Sequence, residues 1–414
     1  MIVLGTVFSG IGAIEQALIR LGVEHRIAFA CDNGDVEVDF LQGEELEEYK
    51  RLKKLRSKKI LNNSQDIAQL NRLNHREEEE VDRIKETVFG FPTKKQKKEF
   101  IDGLYRSRCR QHNFVKESYL ANYQVLDEDF HLDVRFFDGR DYHNQVDILV
   151  GGSPCQSFST VGAQGGLADT RGTLFYEFAR IVQEVQPKVF IYENVRGLIT
   201  HDDGNTWAVM QNVFKNELNY TIAPPEVLNS CDYGIPQNRR RLFVIGIRND
   251  VSAKRFEYPE PVKLRYTMQD FLEDNCAAGH FTYDRATGEL IVEHCPGKPD
   301  DKFTLSPAVQ KYVLTEGTQT YRTSTQTDLP IARTLMKMMT QHHRAGVDNY
   351  ITVKKKPLVL RQLSDREALR LMGFPDEFRI VVSSMQMLRQ AGNSIVVDVL
   401  MAIIKQIYKT GALS

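Results

Sequence analysis

Residues 2–7 are a β-branched apolar run, Phe8-Ser9-Gly10-Ile11-Gly12 is a glycine-bearing turn, and residues 13–21 place Ile14, Leu18 and Leu21 on one helical stripe before Gly22. The pattern predicts strand, glycine loop, helix. A second apolar run at 27–31 ends on Asp32, about 20 residues past the loop, where a dinucleotide-type fold sets an acid on ribose hydroxyls. A nucleotide loop and an ordinary tight turn both fit this stretch.

From 35 to 112 the character changes. Leu46, Tyr49, Leu52 and Leu55 recur at helical spacing among Lys50, Arg51, Lys53, Lys54, Arg56, Lys58 and Lys59, and a second charged segment carries an acidic run at 77–80. A helical insertion lying on the surface is expected over 36–112. Its lysines, balanced by Glu44, Glu45, Glu47 and Glu48, read as a solvated helix face, with phosphate contact or a partner-binding arm as alternatives.

Short apolar runs at 130–132, 146–150, 188–192 and 242–247 then read as buried parallel strands, with a helical period at 174–185. They end on Asp133, on Gly151-Gly152-Ser153-Pro154-Cys155 and on Glu193-Asn194. Ligands of open α/β sheets bind outside the carboxyl ends of strands, so these tips are expected to converge on one crevice. Residues 249–329 turn irregular, with a hairpin at 281–283 and 290–292. Ser364 and Glu367 have capping-box spacing, and 398–408 is a final amphipathic helix. The expected fold class is therefore α/β.

Composition excludes more than it assigns. The 414 residues are 42% hydrophobic and 26% charged, an ordinary globular balance. No run of about 18 apolar residues predicts a membrane span, and the opening residues lack the basic leader of a secretory signal. Six cysteines without CxxC spacing point to reduced thiols and a cytoplasmic setting. Net charge is −1, yet residues 237–265 hold eight Lys and Arg against three Asp and Glu, enough for phosphate contacts. Cys276, His280, His294 and Cys295 suggest zinc, but adjacent His-Cys ligands are awkward, and no metal is expected.

The chemistry concentrates on three residue types. Cys155 follows an apolar strand, two glycines and Pro154, which ends the strand and can aim the next side chain into the crevice. A nucleophile and an inert buried thiol are the two readings of that cysteine. Glu193 ends a neighbouring run, and Gln237-Asn238-Arg239-Arg240-Arg241 leads into the next. A thiol, a carboxyl and a guanidinium suit attack on an electron-poor heteroaromatic ring: one adds, one bonds the ring nitrogen, and one holds the ring carbonyl.

The glycine loop, Gly152-Ser153-Pro154-Cys155-Gln156-Ser157-Phe158-Ser159, DTRGTLF at 169–175, Glu193-Asn194-Val195, the arginine motif at 237–241, Arg366-Glu367 through Gly373-Phe374-Pro375, and Gln390-Ala391-Gly392-Asn393-Ser394 stand in one order. That ordered set resembles the DNA cytosine-5 methyltransferases of prokaryotic restriction-modification type. The resemblance implies a Rossmann-like methyltransferase domain (1–248 plus 360–414, with 36–112 inserted) and a smaller, irregular, β-containing target-recognition region at 249–359. It implies S-adenosylmethionine as cofactor and double-stranded DNA as partner, in a monomeric, prokaryotic cytoplasmic enzyme with a cognate restriction endonuclease acting on the same site and no membrane.

Residue by residue, the resemblance makes Cys155 the nucleophile on cytosine C6, Glu193 the acid at N3 and the exocyclic amine, and Arg239 and Arg241 the arginines at the base, Arg241 holding O2. It assigns the cofactor to Phe8, Gly10, Ile11, Gly12, Asp32, Asp133, Val134, Pro154, Leu174, Asn393 and Ser394. Asp133 and Val134 are the adenine pair, while Asp138 and Asp141 read as solvated turn residues. Residues 157–167 read as a loop that closes over a base flipped out of the duplex, or as a static loop. A tRNA cytosine-5 methyltransferase and a catalytically silent DNA-binding paralogue are the alternatives.

Overall fold

The computed structural model describes residues 1–153, 174–316 and 322–413. Pro154, Cys155 and the loop at 157–167 lie outside them. The chain opens with β1 (Ile2–Val7), α1 (Ala13–Arg20) and β2 (His25–Cys31), as the apolar pattern predicts. The insertion follows as α2 (Gly43–Ser57), α3 (Ser64–Gly90) and α4 (Lys94–Arg108). Next come α5 (Phe114–Asn122), β3 (Phe130–His131), β4 (Ile148–Gly151), α6 (Leu174–Val185) and β5 (Val189–Val195). The remaining elements of the body are α7 (Asn205–Asn212), β6 (Tyr220–Ile222), β7 (Glu226–Asn229), β8 (Gln237–Asn238) and β9 (Arg240–Arg248).

These strands, β8 apart, form one sheet in the order β3-β2-β1-β4-β5-β9-β6, with β7 also on β9. Strands β1 to β5 are parallel, and the order reverses between β1 and β4. A crevice opens at such a switch point. Alternate residues feed two cores: Ile148, Val150, Val189 and Ile191 face one, and Leu149, Phe190 and Tyr192 face the other. Helix α6 covers the second face with Phe175, Phe178, Ile181, Val182 and Val185.

The run at 242–247 departs from expectation. Strand β9 is antiparallel to β5, pairing Glu193 with Phe243 and Val195 with Arg241. A strand buried on both faces reads as continuous apolar sequence whichever way it points, so composition carried no direction. Strand β5 also extends through Val195, leaving Glu193 and Asn194 inside the strand rather than beyond its tip.

The hairpin is β10 (Phe281–Tyr283) with β11 (Leu290–Val292), antiparallel as predicted. Its turn is fastened to the body, because buried Arg20 donates to Gly288 O at 2.7 Å while pairing with Asp398. Helix α8 (Pro307–Val313), β12 (Ala332–Arg333), β13 (Tyr350–Lys355) and β14 (Leu358–Gln362) follow. Leu305, Val313, Ala345, Tyr350 and Leu360 make a separate small core, whereas Phe256, Met268, Phe271 and Phe281 join the main one. The chain closes with α9 (Asp365–Arg370), α10 (Ser384–Asn393) and α11 (Val397–Thr410). Ser364 and Glu367 form the expected capping box. Ser384–Thr410 is apolar enough to cross a membrane, but it breaks between the two helices and 72% of its most apolar window is buried in the body.

The insertion is only partly a surface module. Tyr49, Leu52, Leu70 and Leu73 close a small core between α2 and α3. Helix α4 instead buries Ile101, Leu104 and Tyr105 with Val36, Phe40 and Phe136. Its Lys97 bonds Asp138 at 2.7 Å and Asp141 at 2.9 Å. Asp138, expected to be solvated, is buried: a half-turn of polar sequence reads as loop surface until another element covers it.

Candidate active site

At the carboxyl edge of the sheet the chain leaves β1 through a left-handed run. Phe8 has φ 54°, Gly10 φ 54° and Gly12 φ 78°. Gly10 faces open space, but a Cβ at Gly12 would lie 2.1 Å from the Tyr123 ring. Tyr123 donates its hydroxyl to Gly12 O at 2.7 Å and Ile11 O at 3.1 Å. Asp32, just past β2, accepts the Gly10 amide at 2.9 Å and the Gly34 amide at 2.7 Å, curling the loop against the strand end. Burial pushes the Asp32 carboxyl up, opposed by those two amides.

The C-terminal return reaches the same edge. Asn393 Nδ2 meets Asp35 Oδ2 at 3.2 Å, and Lys337 pairs with that carboxylate at 2.7 Å. Leu174 opens α6, and it and Phe8 each pack against the second core. Val134 is buried, its carbonyl accepting from Arg180 at 2.8 Å. Asp133 is buried too, bonded by Arg135 and Tyr105.

Two strands away, Glu193 and Arg241 meet. Arg241 Nε lies 3.1 Å from Glu193 Oε1. Burial pushes the Glu193 carboxyl up, with Arg241 and then Arg239 opposing. Gly152 passes so close that a Cβ there would lie 2.5 Å from the Glu193 carbonyl oxygen and 3.1 Å from Oε2. Ser153 is anchored by its hydroxyl to Tyr192 Oη at 2.6 Å and by its carbonyl to Asn194 Nδ2 at 2.9 Å. Tyr192 stands in no motif; a buried tyrosine's need for a hydroxyl partner is the one signal in the sequence that points to it.

Arg239 acts on this group by charge but makes its hydrogen bonds elsewhere. It donates to Leu335 O at 2.8 Å, Gly392 O at 3.1 Å and Ser394 O at 2.7 Å. It stands at the junction between β8 and β9, and its side chain points into the C-terminal return. It is a fastener of that return.

A family model for C-5 cytosine-specific DNA methylases matches residues 109–409. The chain belongs to that family. It is 36% identical over 254 residues to the Type II methyltransferase M.HhaI of Haemophilus parahaemolyticus, covering 61% of this chain and 73% of that protein. M.SsoII of Shigella sonnei is 32% identical over 306 residues, 72% of each chain. In fold it resembles the S. pombe Dnmt2 methyltransferase (TM-score 0.59, 16% identity, 99% of each chain). A putative DNA modification methyltransferase of an E. coli prophage is similar (TM-score 0.56, 19% identity, 99% of each chain).

This methylase transfers a methyl group from S-adenosylmethionine to C5 of cytosine within a specific DNA sequence. Its residues fit that cofactor. Each oxygen of Asp32 spends one acceptor position on a backbone amide and keeps another, so the carboxylate can also receive ribose hydroxyls. The open side of Gly10 lets a ligand approach the backbone. Among the described residues no cluster of His, Cys, Asp and Glu has the makings of a metal site.

Proposed function

We propose that Glu193 and Arg241 form the base-binding side of the methylase's active site and that Cys155 is its nucleophile. The observation that carries this reading is the Glu193–Arg241 pair, packed against Gly152 three residues before the thiol. Addition of the Cys155 thiolate to C6 makes C5 an electron-rich, enamine-like carbon. The Glu193 carboxyl, biased by burial toward its protonated form, hydrogen-bonds N3 and keeps negative charge from building on the ring. Arg241 holds O2. When bound, S-adenosylmethionine supplies the methyl group and leaves as S-adenosylhomocysteine; loss of the C5 proton then expels the Cys155 thiolate from C6 and restores the aromatic ring. Phe8, Gly10, Ile11, Gly12, Asp32, Asp133, Val134, Pro154, Leu174, Asn393 and Ser394 line its pocket, and Arg239 braces Ser394 from behind.

The substrate in this reading is double-stranded DNA, entered by flipping the cytosine out of the stack, since neither face of C5 and C6 can be reached within it. Residues 249–359 read the sequence. The enzyme works as a cytoplasmic monomer, with a restriction endonuclease of the same specificity as its functional counterpart; support comes from the Type II methyltransferases among its relatives.

The test is expression in methylation-free cells beside a Cys155→Ala control, with bisulfite sequencing of the host DNA. Methylcytosine confined to one short motif and present only with the wild type is expected. Methylation that survives the substitution removes Cys155 from the mechanism. Soluble protein with unmethylated DNA and methylated tRNA would establish an RNA substrate.

A further inference from the structure

Helix α4 of the insertion reaches the cofactor side of the sheet. Tyr105 donates its hydroxyl to Asp133 Oδ2 at 2.6 Å, with both residues buried. Arg135 takes the rest of that carboxylate. Its backbone amide lies 2.9 Å and its Nε 3.0 Å from Oδ1, and its Nη2 lies 2.6 Å from Oδ2. Burial works against the charge on Asp133, but Arg135 and then Tyr105 outweigh it and hold the carboxyl below its usual range.

A carboxylate offers about four lone-pair positions, and here donors occupy all of them. The Asp133 side chain is 4% exposed. An adenine amine can therefore bond it only by replacing a donor already in place. Arg135 holds by charge, by chelation and through its own backbone. The Tyr105 hydroxyl is neutral and holds at a single point, so it is the donor that can be exchanged at least cost.

We propose that Tyr105 is a positioning residue, holding Asp133 while the cofactor is absent and yielding its place to the adenine amine when the cofactor binds. The insertion thereby sets cofactor affinity. This rests on the assignment of Asp133 to the adenine pocket.

Calorimetric titration of the full chain with S-adenosylhomocysteine, and with its inosine counterpart that carries a carbonyl in place of the amine, tests the exchange. Tyr105→Phe should tighten adenosyl binding by about ten- to a hundredfold, the worth of one hydrogen bond to a charged group, and leave inosyl binding unchanged. Adenosyl binding that is unchanged or weaker, or an equal change for both ligands, overturns the proposal. Asp133→Ala tests the underlying assignment separately: it should abolish the preference for the amine, and a preference equal to that of the wild type refutes the adenine role whatever Tyr105→Phe does. Hydrogen exchange across Lys94–Arg108 of the unsubstituted chain needs no variant. Faster exchange on adding S-adenosylhomocysteine is expected, and unchanged or slower exchange overturns the proposal.

Discussion

Arg241 Nε sits 3.1 Å from Glu193 Oε1 because β9 runs against β5, which brings the first residues of one strand beside the last residues of the other. A parallel β9 would have carried its leading arginines to the opposite edge of the sheet. The pairing of Glu193 with Arg241 is thus a consequence of strand direction.

Glu193→Gln keeps the side chain's shape but removes the acidic proton. Turnover should fall by about 10²- to 10⁴-fold, the usual worth of a positioned acid, with the Kd for S-adenosylhomocysteine unchanged by calorimetry. A comparable loss of cofactor affinity would show that Glu193 acts on the pocket instead of the base.

Arg239→Met should act on stability. It leaves the carbonyls of Leu335, Gly392 and Ser394 without their buried donor, at a cost of about 3 to 5 kcal/mol. Denaturant unfolding without DNA measures this. Full stability combined with lost turnover would return Arg239 to the catalytic group.

Glu15, under the glycine loop, is fully buried and bonded by Thr6 and Tyr119. Burial raises its pKa from 4.5 to about 7, with Tyr119 and Thr6 opposing. Folding therefore favours the protonated carboxyl. That stabilisation is complete below the unfolded pKa of about 4.5 and is lost as pH rises through about 7. Glu15→Gln cannot ionise, so it should gain on the wild type by about 3 kcal/mol between about pH 5 and pH 8. Parallel unfolding curves at the two pH values check it, and a constant difference would contradict the assignment.

Removing residues 45–105 should leave an insoluble chain, because α4 covers Phe40 and Phe136 and its Lys97 bonds Asp138 and Asp141. Solubility of the deletion is the measurement. A soluble product would show that α4 is dispensable for folding.

Much of this was legible along the chain. Local physics decides a strand of β-branched residues, the left-handed turn that Gly10 and Gly12 permit, the amphipathic stripe of α6 and the capping box at Ser364, and all of these stand where the pattern predicted. The motif order also named the family, since chemistry at a site needs particular residue types at particular spacings. Three things depended on residues far apart in sequence meeting in space. The direction of β9 turned Arg241 toward Glu193, and the C-terminal return claimed Arg239. The third was α4, whose Tyr105 lies 28 residues before Asp133 and bonds it in the interior. Hydrophobic periodicity reports which face of an element is buried; which element does the burying, and from which direction, is decided only when the layers pack.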